Sequence, residues 1–108
     1  MGEPIEITDR NFKNEILDST IPALVDFGAE WCPPCRAIEP IIKALVDEYA
    51  GRVKIGSSDV DASRSVAGQF GIMSIPTLIF FKKGEEIDRI IGYVPKDAIR
   101  EKIDALLY

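Results

Sequence analysis

Cys32 and Cys35 are the only cysteines in a chain of 108 residues that contains no histidine. They lie three apart in Trp31-Cys32-Pro33-Pro34-Cys35. Residues three apart on a helix have Cβ atoms about 5–6 Å from one another, so a modest local adjustment lets such a pair close into a disulfide or open again. An apolar strand precedes the pair and a helical stripe follows it, which sets Cys32 at a helix start. Free N–H groups and the positive end of the helix dipole favour a thiolate there. A thiolate is both the better nucleophile and the better leaving group. The loop that this pair closes is too short to restrain much of the unfolded chain, so as a structural staple it does little. Structural zinc takes four ligands, and one chain offers two thiols. Only a dimer pooling two such motifs completes a four-cysteine zinc or iron–sulfur site.

Two further features stand near the pair in their chemistry. Asp26 lies in the run Ala23-Leu24-Val25-Asp26-Phe27. An acid in a strand ordinarily marks an exposed face. The apolar neighbours point the other way, to a strand buried on both faces. A carboxyl buried there holds its proton more tightly, which brings it into a range useful for proton transfer, and under Cys35 it could take the proton of that thiol. Ile75-Pro76-Thr77 precedes another apolar run. Its proline reads either as a strand-start residue or as a cis bond in a tight turn that holds a backbone edge open beside the cysteines. Pro33 and Pro34 remove two backbone donors and stiffen the loop between the cysteines. Pro40 falls inside the following helix, where it costs a hydrogen bond and has a geometric role.

The elements that must position these residues follow from periodicity. Ile5 and Ile7 make a short strand, and Thr8 caps a helix carrying Phe12, Ile16 and Leu17. After the strand at 23–27, Ile38, Ile41, Ile42, Leu45, Val46 and Tyr49 form one helical stripe that ends near Gly51. A strand over 53–59 is weakened by Gly56. Ala62, Val66 and Phe70 repeat every four residues as a helix stopped by Gly71. Strands over 77–81 and 87–91 flank a turn at Lys83-Gly84, and a last helix after Pro95 carries Ile99, Ile103, Leu106 and Leu107. Alternating strands and helices imply parallel pairing through right-handed crossovers, and the final turn implies an antiparallel hairpin. The expected fold is α/β: a central mixed sheet of about five strands flanked by about four helices, in one domain over residues 1–108.

Composition excludes several classes. The hydrophobic fraction of 46% suits a globular protein. No apolar run is long enough for a bilayer, and the first residues lack the basic and apolar regions of a secretory signal, so neither a membrane nor an export route is expected. With 13 Lys and Arg against 18 Asp and Glu the net charge is −5, and no basic stripe is available to bind nucleic acid. The scattered acids of the first part of the chain read as a solvated surface.

Taken together the residues resemble the thioredoxin family over essentially the whole chain. The resemblance is carried by Val25-Asp26-Phe27, Ala29-Glu30-Trp31-Cys32, Pro34-Cys35, Pro40, Val60-Asp61, Phe70-Gly71-Ile72, Ile75-Pro76-Thr77, Gly84 and Gly92. It implies the thioredoxin fold and the reduction of protein disulfides. Cys32 would attack, Cys35 would resolve the mixed disulfide, and Asp26 would assist proton transfer. It also implies a cis Pro76, and a groove of Trp31, Pro33, Pro34, Ile75, Pro76 and Gly92 that receives an extended substrate segment by backbone pairing. A thioredoxin-reductase-type donor would restore the dithiol. No cofactor or metal is expected, and the chain is expected to be a cytoplasmic monomer. Three departures stand out: Pro33 replaces a glycine, Gly28 stands where the family generally has an aromatic, and Ser57 occupies the place of a common lysine near the buried acid. Ser74 and Tyr93 also alter the groove rim. These departures bear on potential, substrate range and reductase recognition. The rival readings are a dithiol oxidase or isomerase tuned by Pro33-Pro34, the metal- or iron–sulfur-binding dimer, and a scaffold that uses the groove without turnover.

Overall fold

The computed structural model describes residues 2–108. Its strands are Ile5–Glu6 (β1), Ala23–Gly28 (β2), Lys54–Asp59 (β3), Thr77–Lys82 (β4) and Glu85–Ile91 (β5). They form one sheet in the order β1-β3-β2-β4-β5, with β1 and β2 parallel to β3, and β4 antiparallel to both β2 and β5. The helices are Pro33–Glu48 (α1), Arg64–Gln69 (α2) and Lys96–Leu107 (α3), preceded by a five-residue π-helical segment, Lys13–Leu17. The mixed five-stranded sheet with helical cover on both faces matches the expectation from sequence.

Alternation within β2 explains the two layers. Leu24 packs with Ile38, Ile42 and Leu45 of α1 and with Ile99 and Ile103 of α3. Val25 and Phe27 point the other way and pack with Phe12, Ile16, Val66, Ile79 and Phe81. Burying apolar side chains on both faces removes the polar–apolar alternation of a half-exposed strand, which is why the run 23–27 reads as nearly continuous. Asp26 shares the α1 face with Leu24, because side chains alternate along a strand.

The first helix differs from expectation. The Thr8 hydroxyl does accept from the Asn11 N–H at 3.3 Å, and the Asn11 side chain accepts from the Thr8 N–H at 2.7 Å. This reciprocal pair closes a turn rather than a regular helix, and the segment that follows is wound more widely, with the Asp18 N–H reaching the Lys13 carbonyl at 2.9 Å. Phe12 and Ile16 are still buried. Two other boundaries move by a residue or more. Ala62 is exposed and lies ahead of α2, whereas Pro95 caps α3 from outside it.

The β4–β5 hairpin is closed by Lys83 and Gly84, with φ of 54° and 79°. Two central residues at positive φ match the right-handed twist of the flanking strands. A Cβ on Gly84 would lie 2.9 Å from the Leu17 carbonyl oxygen, a backbone atom that cannot swing aside. Gly84→Ala is therefore expected to lower stability by roughly 1–3 kcal/mol. A lower urea midpoint at unchanged slope would register it, and an unchanged midpoint would show that the turn tolerates a side chain.

Candidate active site

Cys32 is the N-cap of α1, and Pro33 and Pro34 occupy the first two helical positions. Proline fits there because its missing N–H would have found no partner within the helix. The first free donor is therefore the N–H of Cys35, which points at the Cys32 sulfur at 3.3 Å. The two cysteines are joined as a disulfide, with Cα atoms 5.2 Å apart. Both are buried against Ala29, with Val60 and Ile75 alongside, while Trp31, Pro33 and Pro34 are exposed around them.

The later chain segments arrive from the other side of the sheet end. Ile75–Pro76 is a cis peptide bond, as the resemblance implied, and the Ile75 carbonyl oxygen lies 3.8 Å from the Cys32 sulfur. The Gly92 N–H donates to the Pro76 carbonyl at 2.7 Å. Trp31, Cys32, Ile75, Pro76 and Gly92 are thus linked by direct bonds or by chain adjacency, although they span some sixty positions of sequence. Trp31 is held by a residue whose partnership the sequence did not announce: its indole N–H donates to the Asp61 carboxylate at 2.7 Å. Ser74 and Tyr93 are exposed at the ends of the same two segments.

Asp26 is buried, with 7% of its surface exposed, and its Oδ1 has no hydrogen-bond partner. Desolvation pushes its carboxyl up to about 7, and the Glu39 carboxylate contributes to that rise as a like charge. Asp26 and Cys35 both line a pocket of about 420 Å³ that opens on the α1 side of the sheet, away from Trp31, Pro76 and Gly92. Two small residues keep that side open. Gly28 sits where a Cβ would come within 3.2 Å of both Cβ and Sγ of Cys35. Ser57 is the β3 residue paired with Asp26. Among the described residues no group of His, Cys, Asp and Glu is arranged to hold a metal ion.

Chemically, the arrangement is a sulfur pair that can exist as dithiol or disulfide, next to a carboxyl that titrates near neutrality. The pair itself carries two electrons, which makes the protein a thiol–disulfide oxidoreductase. The comparisons agree. The family model described as thioredoxin matches residues 3–105. Over 104 residues the chain is 41% identical to Thioredoxin 1 of Nostoc sp. (strain PCC 7120), covering 96% of this chain and 97% of that protein. Over 103 residues it is 47% identical to the thioredoxin of Chlorobaculum thiosulfatiphilum, covering 95% of each. It is also 46% identical over 98 residues to the chloroplastic M-type thioredoxin of Pisum sativum, covering 91% of this chain and 57% of that protein. The chain belongs to the thioredoxin family, and its sheet and helices are the thioredoxin fold. Among the described residues no helix is long and apolar enough to cross a membrane.

Proposed function

We propose that the chain acts as a single domain that reduces protein disulfides, with Cys32 as nucleophile, Cys35 as resolving thiol and Asp26 as the proton acceptor. The Cys32 thiolate attacks one sulfur of a substrate disulfide, forming a mixed disulfide and releasing the first substrate thiolate. Cys35 passes its proton to Asp26 and attacks the Cys32 sulfur. The Cys32–Cys35 bond forms, the bond to substrate breaks, and the second substrate thiolate leaves. Two electrons have then passed from the dithiol to the substrate. Trp31, Pro33, Pro34, Ile75, Pro76 and Gly92 form the rim that receives an extended substrate segment. A thioredoxin-reductase-type donor returns the pair to the dithiol, and the protein works as a monomer in the cytoplasm, where thiols are kept reduced.

The observation that carries this reading is the Cys35 N–H directed at the Cys32 sulfur at the start of α1. A negative sulfur is held there both by that donor and by the helix dipole. The opposite direction, net oxidation of substrates, uses the same atoms and differs only in the redox equilibrium. Equilibration with mixtures of reduced and oxidised glutathione distinguishes the two. The reductase reading expects Cys32 and Cys35 to be mostly joined when the two forms of glutathione are comparable in concentration. A pair that stays as the dithiol under those conditions would be an oxidant, and electrons would flow from substrate to protein instead.

A further inference from the structure

We propose that Glu39 is a positioning residue for the resolving step, acting through the pocket that it shares with Asp26 to set the pH at which Cys35 gives up its proton. This inference rests on the role of Asp26 as proton acceptor. Glu39 is four residues after Cys35 on α1, and residues four apart lie on one helix face. The Cys35 side chain and Glu39 therefore look out over the same pocket, whose opposite wall contains Asp26. Gly28 and Ser57 place no large side chain in that wall.

The charges around Asp26 come from every neighbouring element on this side. The pocket wall carries Glu3 ahead of β1, Glu6 in β1, Glu30 after β2, Asp59 at the end of β3, and Glu39 and Lys43 in α1. β4 presents Leu78 opposite Asp26, which does not ionise. Among the described residues Lys43 is the single cation of the wall, and it is engaged with Glu3 at 3.5 Å. None of the described cations is therefore paired with Asp26, whose Oδ1 is without a partner. Among the surrounding carboxylates it is Glu39 whose charge acts on Asp26, adding to the effect of burial. A like charge disfavours ionisation, so Glu39 makes Asp26 a stronger base that is less often ionised at neutral pH. During resolution the Cys35 proton moves to the ionised Asp26 carboxylate. The sulfur–sulfur bond to Cys32 forms as the bond to the leaving thiol breaks, and Asp26 later returns the proton to solvent through the pocket.

The test uses the reduced full chain mixed in stopped flow with one equivalent of the aromatic disulfide 5,5′-dithiobis(2-nitrobenzoate). The first released thiolate reports attack by Cys32 and the second reports resolution by Cys35. The rate of the second phase is followed from pH 5 to pH 9. In the parent it rises with a midpoint near the Asp26 value of about 7. In Glu39→Gln the midpoint falls by about half a pH unit or more, since a screened like charge is removed. Glu39→Asp keeps the charge and retains most of the parent profile. In an Asp26→Asn background the Glu39→Gln change has no further effect on the profile. A parent midpoint in Glu39→Gln, together with a midpoint lost in Asp26→Asn, would overturn the role of Glu39 alone. Persistence of the Glu39→Gln shift without Asp26 would do the same. A parent profile in Asp26→Asn would instead remove Asp26 from the step, and both readings would fall.

Discussion

Cys35→Ser accumulates covalent adducts between Cys32 and substrate proteins, and Cys32→Ser accumulates none. The asymmetry follows from the site. Cys32 caps α1, accepts the Cys35 N–H and adjoins the exposed rim of Trp31, Pro33 and Pro34. Cys35 lies one turn in, and faces the pocket that contains Asp26. With Cys35 replaced, the mixed disulfide forms but nothing within the chain can attack it, so it persists until an external thiol arrives. With Cys32 replaced, the remaining thiol is buried away from the rim. Turnover in either variant is expected to fall by roughly two orders of magnitude or more, since both residues act as one unit. Non-reducing electrophoresis with mass spectrometry of the captured bands reads the adducts, which should vanish with dithiothreitol. Equal trapping by both variants would invert or dissolve the assigned roles.

The second large effect is on stability, and it comes from Asp26. In the folded protein this carboxyl keeps its proton up to about pH 7, against a value of 3.8 for an ordinary aspartate. Between those limits the folded state binds more protons than the unfolded state. Raising the pH through this window therefore destabilises the fold, and the loss is complete once Asp26 has ionised above about 7. The group costs about 4 kcal/mol between roughly pH 4 and pH 8, because each pH unit separating its folded and unfolded values is worth roughly 1.4 kcal/mol. Asp26→Asn cannot ionise, so its stability relative to the parent should improve by that order as pH is raised across the same range. The comparison across pH cancels the separate cost of placing an amide in the site. Urea unfolding of the oxidised proteins at the two pH values measures it. If parent and variant change in parallel, Asp26 titrates as an ordinary surface acid and cannot serve as the proton acceptor proposed for Cys35.

These two expectations have different origins. The cysteine roles were legible in the sequence because the relevant geometry is local: three residues of spacing and a helix start establish which sulfur is capped. The burial of Asp26 was legible more indirectly, from apolar neighbours on both sides of it in β2. Its lack of a partner was not legible. That depends on what β3, β1 and α1 present to the same space, including Ser57 beside it and Lys43 turned toward Glu3. Glu39 carried a usable signal, its position one turn after Cys35, but the direction of its influence depends on the pocket.

The cysteine motif illustrates the division most plainly. By itself the sequence determined the reversible cysteine pair, the strand-to-helix junction that holds it, the two faces of β2 and the two-residue hairpin at Lys83-Gly84. Each of these follows from contacts between residues close in the chain or from a periodicity that a few residues reveal. The tertiary structure decided which distant groups surround the pair. The carbonyl of Ile75 stands by Cys32, Gly92 bonds to Pro76, Asp61 holds Trp31, and an acidic pocket reaches Asp26. It also decided that Thr8 closes a turn and that the segment after it winds as a π-helix. Those outcomes depend on how the packed layers direct side chains across tens of residues of sequence separation, where local propensity has no say.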